Sequence, residues 1–305
     1  MSLKNYPIPG RLNLLLALLV VVLCTVLLWA SGRVQGWPAL ALLAILYGFA
    51  MNTGYALCHE AEHDIFHRNK TVNDFAGSVV TIFFPASFHL RRQGHLGHHL
   101  RNRTDDEAFD LYFAGENPLW KHLQFYGILT GFFWLMIVLS NIPALLCPTW
   151  LGSKKAAFDR PTAALQESLN PKYFRRMRLE ALAVFLFHGA MIYFFKIPLL
   201  HYFAVLCGFG FMWSTLQYIH HYGTVRDVQK GAYNVRAWRP FDLIWLNHHW
   251  HLNHHLSPTT PWIYLPRLPL ESSRVPFWRA YFRMWRGPRF TAERIQNRYA
   301  GKTIK

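Results

Sequence analysis

Acidic residues are scarce. The 305 residues include 16 Asp and Glu against 32 Lys and Arg, which leaves +16 with His neutral. Only 16% of the chain is charged, where soluble domains carry roughly 25%. Cysteine is scarce too. Cys24, Cys58, Cys147 and Cys207 lie far apart, and three of them sit inside or at the ends of apolar blocks. That spacing excludes a disulfide framework and a cysteine-based zinc site. Neither a glycine-rich dinucleotide fingerprint after a strand nor an iron–sulfur cysteine pattern is found. Low-complexity tracts and internal repeats are missing, apart from two hairpins described below. What is abundant is apolar: 52% of residues are hydrophobic. This excludes disorder. The apolar residues come in long blocks rather than helical stripes, which speaks against a basic nucleic-acid-binding domain.

The blocks are long enough to meet lipid. Residues 12–31 are broken only by Asn13 and Thr25 before Ser31, long enough for a hydrocarbon core of about 30 Å. The run exceeds a signal-peptide core and leads straight into a second one, 37–58. A second hairpin spans 179–195 and 199–219, hinged at Lys196-Ile197-Pro198, where proline cannot continue a helix. Segments 1–11, 58–118, 148–178 and 222–305 hold 29 of the 32 Lys and Arg. Basic residues collect on the cytoplasmic side, so both termini and all long loops are expected there. Residues 125–146 are apolar but interrupted by Gly127, Gly131, Asn141 and Pro143. A single crossing there would put the basic stretch 148–178 outside. A re-entrant or interfacial helical pair is therefore expected; two further short spans are the alternative. The fold class that follows is an all-α integral membrane protein, a single domain over 1–305. It has four transmembrane helices in two hairpins and a histidine-rich cytosolic cap, whose largest part is 222–305.

Histidine is the other abundance. Fourteen of 17 His fall in the windows 59–67, 89–99, 220–221 and 248–255. His59 and His63 are spaced i,i+4. His95, His98 and His99 are spaced i, i+3, i+4, and His251, His254 and His255 repeat that pattern. On a helix such positions share a face. All four windows lie on the inferred cytoplasmic side. Eight or more imidazoles in one place cannot all be protonated, and neutral imidazole is the commonest metal ligand. Their number fits two metals at four or five each, with iron, zinc, copper and nickel all open. His122, His188 and His201 stand alone and are expected to be structural. His67, His89, His248 and His249 lie near the clusters, as ligand neighbours or surface residues. His59-Glu60-Ala61-Glu62-His63 also fits the H-E-x-x-H zinc protease signature, but that reading gives the other clusters no role. A non-enzymatic metal carrier is a further rival. Transport sites lie near the bilayer midplane, whereas these histidines sit at helix ends and in loops.

Three stretches carry a resemblance. His59-Glu-Ala-Glu-His63 is followed by Arg68-Asn69 and Asn73-Asp74. His95-Leu-Gly-His98-His99 comes next. His251-Leu-Asn-His254-His255-Leu-Ser-Pro258 is followed by Pro261-Trp262 and Leu265-Pro266. These resemble the three histidine boxes of the membrane fatty-acid desaturase family, over roughly residues 40–270. The resemblance implies a non-haem di-iron centre with ligands His59, His63, His95, His98, His99, His251, His254 and His255. The family's additional histidine before the third box is matched by His221, with His220 as fallback. Asn247 stands where a polar group would hold a metal-bound water. Two extra histidines, His248 and His249, precede the third box, and Asn253 stands where many members have Glu.

Carboxylates are needed to orient ligating imidazoles. Glu60, Glu62, Asp64, Asp105, Asp106, Glu107, Asp110 and Asp242 lie near the boxes. Glu60, Asp64 and Asp110, with His220, Asn247 and His249, are the candidates for outer positions. Balancing Arg91, Arg92, Arg101 and Arg103 is an equally good role for the acids. The resemblance implies an O2-dependent oxidoreductase acting on a fatty acyl chain, with desaturation first among outcomes. Hydroxylation and oxidative decarboxylation to a terminal alkene use similar boxes. No fused His-Pro-Gly-Gly haem domain is found, so electrons are expected to come from outside. An acidic donor is implied, ferredoxin, rubredoxin or cytochrome b5, fed by NAD(P)H. The expected setting is a bilayer, with a bacterial inner membrane favoured over the endoplasmic reticulum, and no nucleic-acid partner.

Overall fold

The computed structural model describes residues 6–153, 157–268 and 270–304. Lys4, Lys154, Lys155 and Lys305, which contribute to the charge asymmetry, lie outside the described residues. The chain is mostly helical. Helix α1 is Gly10–Ser31 and α2 is Trp37–Glu62. Helices α3 (Lys70–Ile82) and α4 (Phe88–Arg101) follow. Then come α5 (Pro118–Leu129), α6 (Phe132–Leu139), α7 (Asn141–Leu146), α8 (Pro148–Leu151) and α9 (Arg160–Ser168). Helices α10 (Phe174–Phe195) and α11 (Leu199–Leu216) form the next long pair. The last are α12 (Arg239–Ile244), α13 (His251–Leu256) and α14 (Phe277–Met284). Two-residue strands β1 (Leu111–Tyr112), β2 (Val235–Arg236), β3 (Val275–Pro276) and β4 (Arg289–Phe290) pair in parallel, β1 with β4 and β2 with β3.

Among the described residues, four helices are long and apolar enough to cross a membrane: α1, α2, α10 with its preceding turn from Pro171, and α11. Helix α1 has 22 residues, about 33 Å at 1.5 Å per residue. Its buried stripe, Asn13, Ala17, Val20, Cys24, Leu28 and Ser31, keeps the helical period. The remaining faces expose Leu15, Leu18, Leu19 and Val22. A helix apolar all round with a single buried stripe suits lipid on its open side. Helices α2 and α11 approach closely at Gly208, where an added Cβ would lie 2.7 Å from the Ala44 Cβ. The main core cluster joins α1, α2, α3, α6 and α11 through Leu28, Met51, Val80, Trp134 and Phe209.

Three boundaries differ from the sequence expectation. Helix α2 runs past residue 58 to Glu62, carrying the first box on its last turn, because backbone hydrogen bonding does not stop where apolarity stops. Helix α10 begins at Phe174 and takes in Arg175, Arg176 and Arg178, since Asn170 caps the turn before it by accepting from Lys172 N. Helix α11 ends at Leu216, so 217–219 belongs to a run of turns. The interrupted apolar segment is a bent pair. Pro118–Leu129 and Phe132–Leu146 meet at 83°, with Gly131 at φ +95°, a backbone region that suits glycine.

Helix α4 starts in an unusual way. Ser87 stands at its N-cap but makes no side-chain cap bond. Instead, Glu180 from the middle of the chain on α10 accepts from Ser87 Oγ at 2.8 Å and from His89 N at 2.9 Å. A carboxylate is well placed at a helix N-terminus.

Candidate metal centre

Four chain segments deliver the imidazoles. Helix α2 presents His59 on its last turn and His63 at its C-cap. Helix α4 presents His95, His98 and His99. The turns after α11 carry His220 and His221, and α13 carries His251, His254 and His255. These rings gather into two foci. One comprises His59, His63, His95, His99 and His254; the other comprises His98, His221, His251 and His255. Within each focus one ring nitrogen per residue lies within 4.8 Å of all the others. All nine ligand candidates that the resemblance implies are among them. Sequence neighbours part company: His99 and His254 face one focus, His98 and His255 the other. Adjacent residues project about 100° apart on a helix, so each helix serves both points. The foci touch along the pair His99 and His255, with ring centroids 4.4 Å apart.

The donor chemistry fits a metal. His63 Nε2 and His95 Nε2 are 2.8 Å apart, His99 and His95 Nε2 3.2 Å, and His254 and His99 Nε2 2.9 Å. In the second focus His221 and His251 Nε2 are 3.0 Å apart, and His255 and His251 Nε2 3.2 Å. An ion held about 2.1 Å from each nitrogen would set ligands at right angles about 3.0 Å apart. Hydrogen bonds among the rings cannot account for the arrangement. A neutral imidazole has one donor and one acceptor, yet His59 Nε2 and the Nδ1 atoms of His251, His254 and His255 are buried without a partner. The rings are also kept neutral. Burial, reinforced by neighbouring imidazoles, pushes His95, His99, His251, His254 and His255 well below the usual imidazole range. Burial takes His63 down to about 3. Neutral rings are the ligating form.

Two ligand candidates have their second nitrogen held. His98 Nδ1 lies 2.7 Å from Glu107 Oε1, and Glu107 Oε2 accepts from Arg101 Nε at 3.1 Å. Burial opposes charge on Glu107, but Arg101 and His98 outweigh it and keep the carboxyl below its usual range. His221 Nδ1 sits 2.8 Å from the Gly231 carbonyl oxygen, to which only its N–H can donate. Asn102 Nδ2 donates to the same oxygen at 3.2 Å.

The other candidate outer residues are engaged elsewhere. Glu60 accepts from Trp262 N at 3.1 Å. Asp64 pairs with Lys70 and Arg92. Asp110 pairs with Arg103 and accepts from Tyr218 Oη at 2.9 Å and Gly223 N at 2.7 Å. Asn247, at φ +58°, donates to the Trp262 carbonyl. Arg91 pairs with Glu62. Each of the four arginines near the boxes thus has an acid from that set, and of these acids Glu107 is the one hydrogen-bonded to an imidazole of the foci. No periodic signal distinguishes it, because it lies in a turn nine residues beyond His98.

His220 and His249 contact each other, Nε2 to Nδ1, at 3.3 Å. His248 packs on His59 and His251, with centroids 4.9 and 5.0 Å away. His220, His248 and His251 form a further, smaller grouping that shares His251 with the second focus. The lone histidines are structural staples. His122 meets the Pro118 carbonyl, His201 the Ser31 carbonyl, and His188 both Tyr202 Oη and the Ile82 carbonyl. His59 and His63 share their focus with three more imidazoles, beyond the three protein ligands of a protease zinc.

Among the described residues, helices long and apolar enough to cross a membrane adjoin two foci of imidazoles from four segments that could hold metal. A sequence profile described as fatty acid desaturase matches residues 35–285. That is most of the chain, and the chain belongs to the fatty acid desaturase family, the membrane kind whose boxes it resembles. Membership makes it a desaturase-like oxidoreductase. A search of curated proteins finds no match to the chain.

Proposed function

We propose that this protein introduces a double bond into a fatty acyl chain, using O2 and two iron ions. His59, His63, His95, His99 and His254 would hold one ion, and His98, His221, His251 and His255 the other. The observation that carries this reading is the meeting of nine imidazole nitrogens in two foci. Two irons, when bound, supply O2 reduction and an oxidant able to take hydrogen from an unactivated methylene.

The chain's own residues do the rest. Burial keeps the imidazoles deprotonated and ready to bind. Glu107 accepts the Nδ1 proton of His98, and the Gly231 carbonyl accepts that of His221, so both rings turn Nε2 inward. The apolar helices position a substrate that has no polar handle along its length. Both termini lie on the cytoplasmic side, as the basic segments indicate. An acidic electron-transfer protein meets that basic face, steered by charge.

The test is product analysis by mass spectrometry after expression with acyl chains of several lengths, together with a metal count on the purified protein. Loss of two hydrogens and about two irons per chain is the expected result. Gain of one oxygen would replace desaturation by hydroxylation, and loss of CO2 would replace it by decarboxylation. Full activity without bound transition metal would end the reading.

A further inference from the structure

Helix α14 has two apolar faces, and one of them is open. Ala280 and Met284 are buried, and Phe277 and Tyr281 pack against the same cluster as Tyr222 and Val235. On the other side Trp278 and Phe282 are 65% and 63% exposed, and Trp285, just past the helix end, is 39% exposed. Their spacing of four and three residues puts them on one side. A helix on the surface of a soluble protein carries polar residues there.

The charge along this stretch of sequence has one sign, though Arg274 is paired with Asp242. Between Ser272 and Ala292 the chain has five arginines, Arg274, Arg279, Arg283, Arg286 and Arg289, and no acid. The face is also continuous with an apolar element. Trp285 stacks on Tyr126 with centroids 6.2 Å apart, and Tyr126 Oη donates to the Trp285 carbonyl at 3.1 Å. Tyr126 belongs to α5, the first limb of the bent apolar pair, which itself exposes Leu119, Trp120 and Leu123.

We propose that α14 lies in the bilayer interface, its Trp278–Phe282–Trp285 face sunk among anionic headgroups that the neighbouring arginines bind. Tryptophan settles at the headgroup level of a membrane. An amphipathic helix with aromatic residues on one side and arginine beside them lies in that plane, and juxtamembrane basic residues draw anionic lipid. Part of the 222–305 segment is thereby a membrane-surface element rather than a cap clear of the lipid. A helix buried on both sides, against the protein and against the headgroups, accounts for aromatic residues on both.

The contact would reach the third histidine box. Strand β3 leads into α14, and Val275 N donates to the Asn234 carbonyl at 2.8 Å. The Asn234 side chain accepts from Asn253 N and donates to Asn253 Oδ1, both at 3.2 Å. Asn253 sits on α13 between His251 and His254.

The test uses the full-length protein, one copy per nanodisc, with Cys147 and Cys207 changed to Ser and a nitroxide placed at Phe282→Cys. Discs contain phosphatidylglycerol with phosphatidylcholine, or phosphatidylcholine alone. Relaxation by O2 and by a water-soluble nickel complex measures depth, and Val225→Cys, exposed elsewhere, serves as the aqueous control. In the anionic discs the label at 282 is expected to be reached by O2 and several-fold less by nickel than the control. The Arg279→Gln/Arg286→Gln variant is expected to lose the extra depth gained from phosphatidylglycerol while keeping its far-UV helicity. A label as open to nickel as the control in both lipids would overturn the proposal. So would a label that becomes shielded only in discs holding two copies, which would assign the face to a second chain. Neither result touches the metal reading.

Discussion

Glu107 is the residue on which the second focus leans. It is the acid that meets a ligand candidate directly, and it is itself braced by Arg101. Removing a partner of this kind costs roughly 10–100-fold in metal affinity. Glu107→Gln is therefore expected to release one of the two ions more readily to a chelator, while His122→Ala, which loses a Pro118 carbonyl contact and ring packing on Tyr112 and Tyr126, leaves both in place. Timed chelation followed by metal analysis checks this; equal release from Glu107→Gln and wild type would remove Glu107 from the site. The rings themselves set a pH response. In the metal-free protein His63 and His249 are held at about 3 and His248 at about 4, against about 6.5 in an unfolded chain. The unfolded state takes up protons first as pH falls, so folding stability is full above about 6.5 and declines below it. Melting of the metal-stripped protein is expected several degrees lower at mildly acidic than at mildly alkaline pH. A flat profile would contradict neutral, buried imidazoles.

At the scale of elements, the i, i+3, i+4 spacing placed three histidines on α4 and three on α13, and the helices present them together. The sorting of neighbours between foci was not legible. His98 and His99 are equivalent as letters; what separates them is where α2, α13 and the turn after α11 stand around α4. The choice of Glu107 over Asp110 was hidden for the same reason: both meet a buried arginine, but the other oxygen of Asp110 accepts from Gly223 N while that of Glu107 faces His98. The composition did indicate the bent pair, since Gly131 and Pro143 interrupt an apolar run, but not its 83° angle, which depends on packing against α11. Glu180 has a role that no local pattern announces. It caps α4 from α10, with His89 Nδ1 adding a contact at 2.6 Å. Loss of a helix cap costs about 1 kcal/mol. Because α4 serves both foci, Glu180→Ala is expected to lower the melting temperature and the occupancy of both ions together. Loss of one ion alone would show that α4 is held by something else.

For the whole molecule, charge and shape act together. The basic loops and the imidazoles occupy the same chain segments, so on the proposed reading an acidic donor drawn by the +16 charge would arrive on the side where electrons are needed. Such steering weakens as salt screens it. The rate of reduction by an acidic donor protein is expected to fall several-fold between low and high ionic strength, with little change for a small neutral reductant. Equal salt sensitivity for both would mean that the charge serves orientation in the membrane alone.

Neither focus can be completed before α13 exists, because His254 belongs to one and His255 to the other. A growing chain that has already made its four long apolar helices still lacks a donor for each focus until residue 255 leaves the ribosome. If the foci hold iron as proposed, metal insertion would come late in biogenesis, and a product truncated before α13 would be iron-poor.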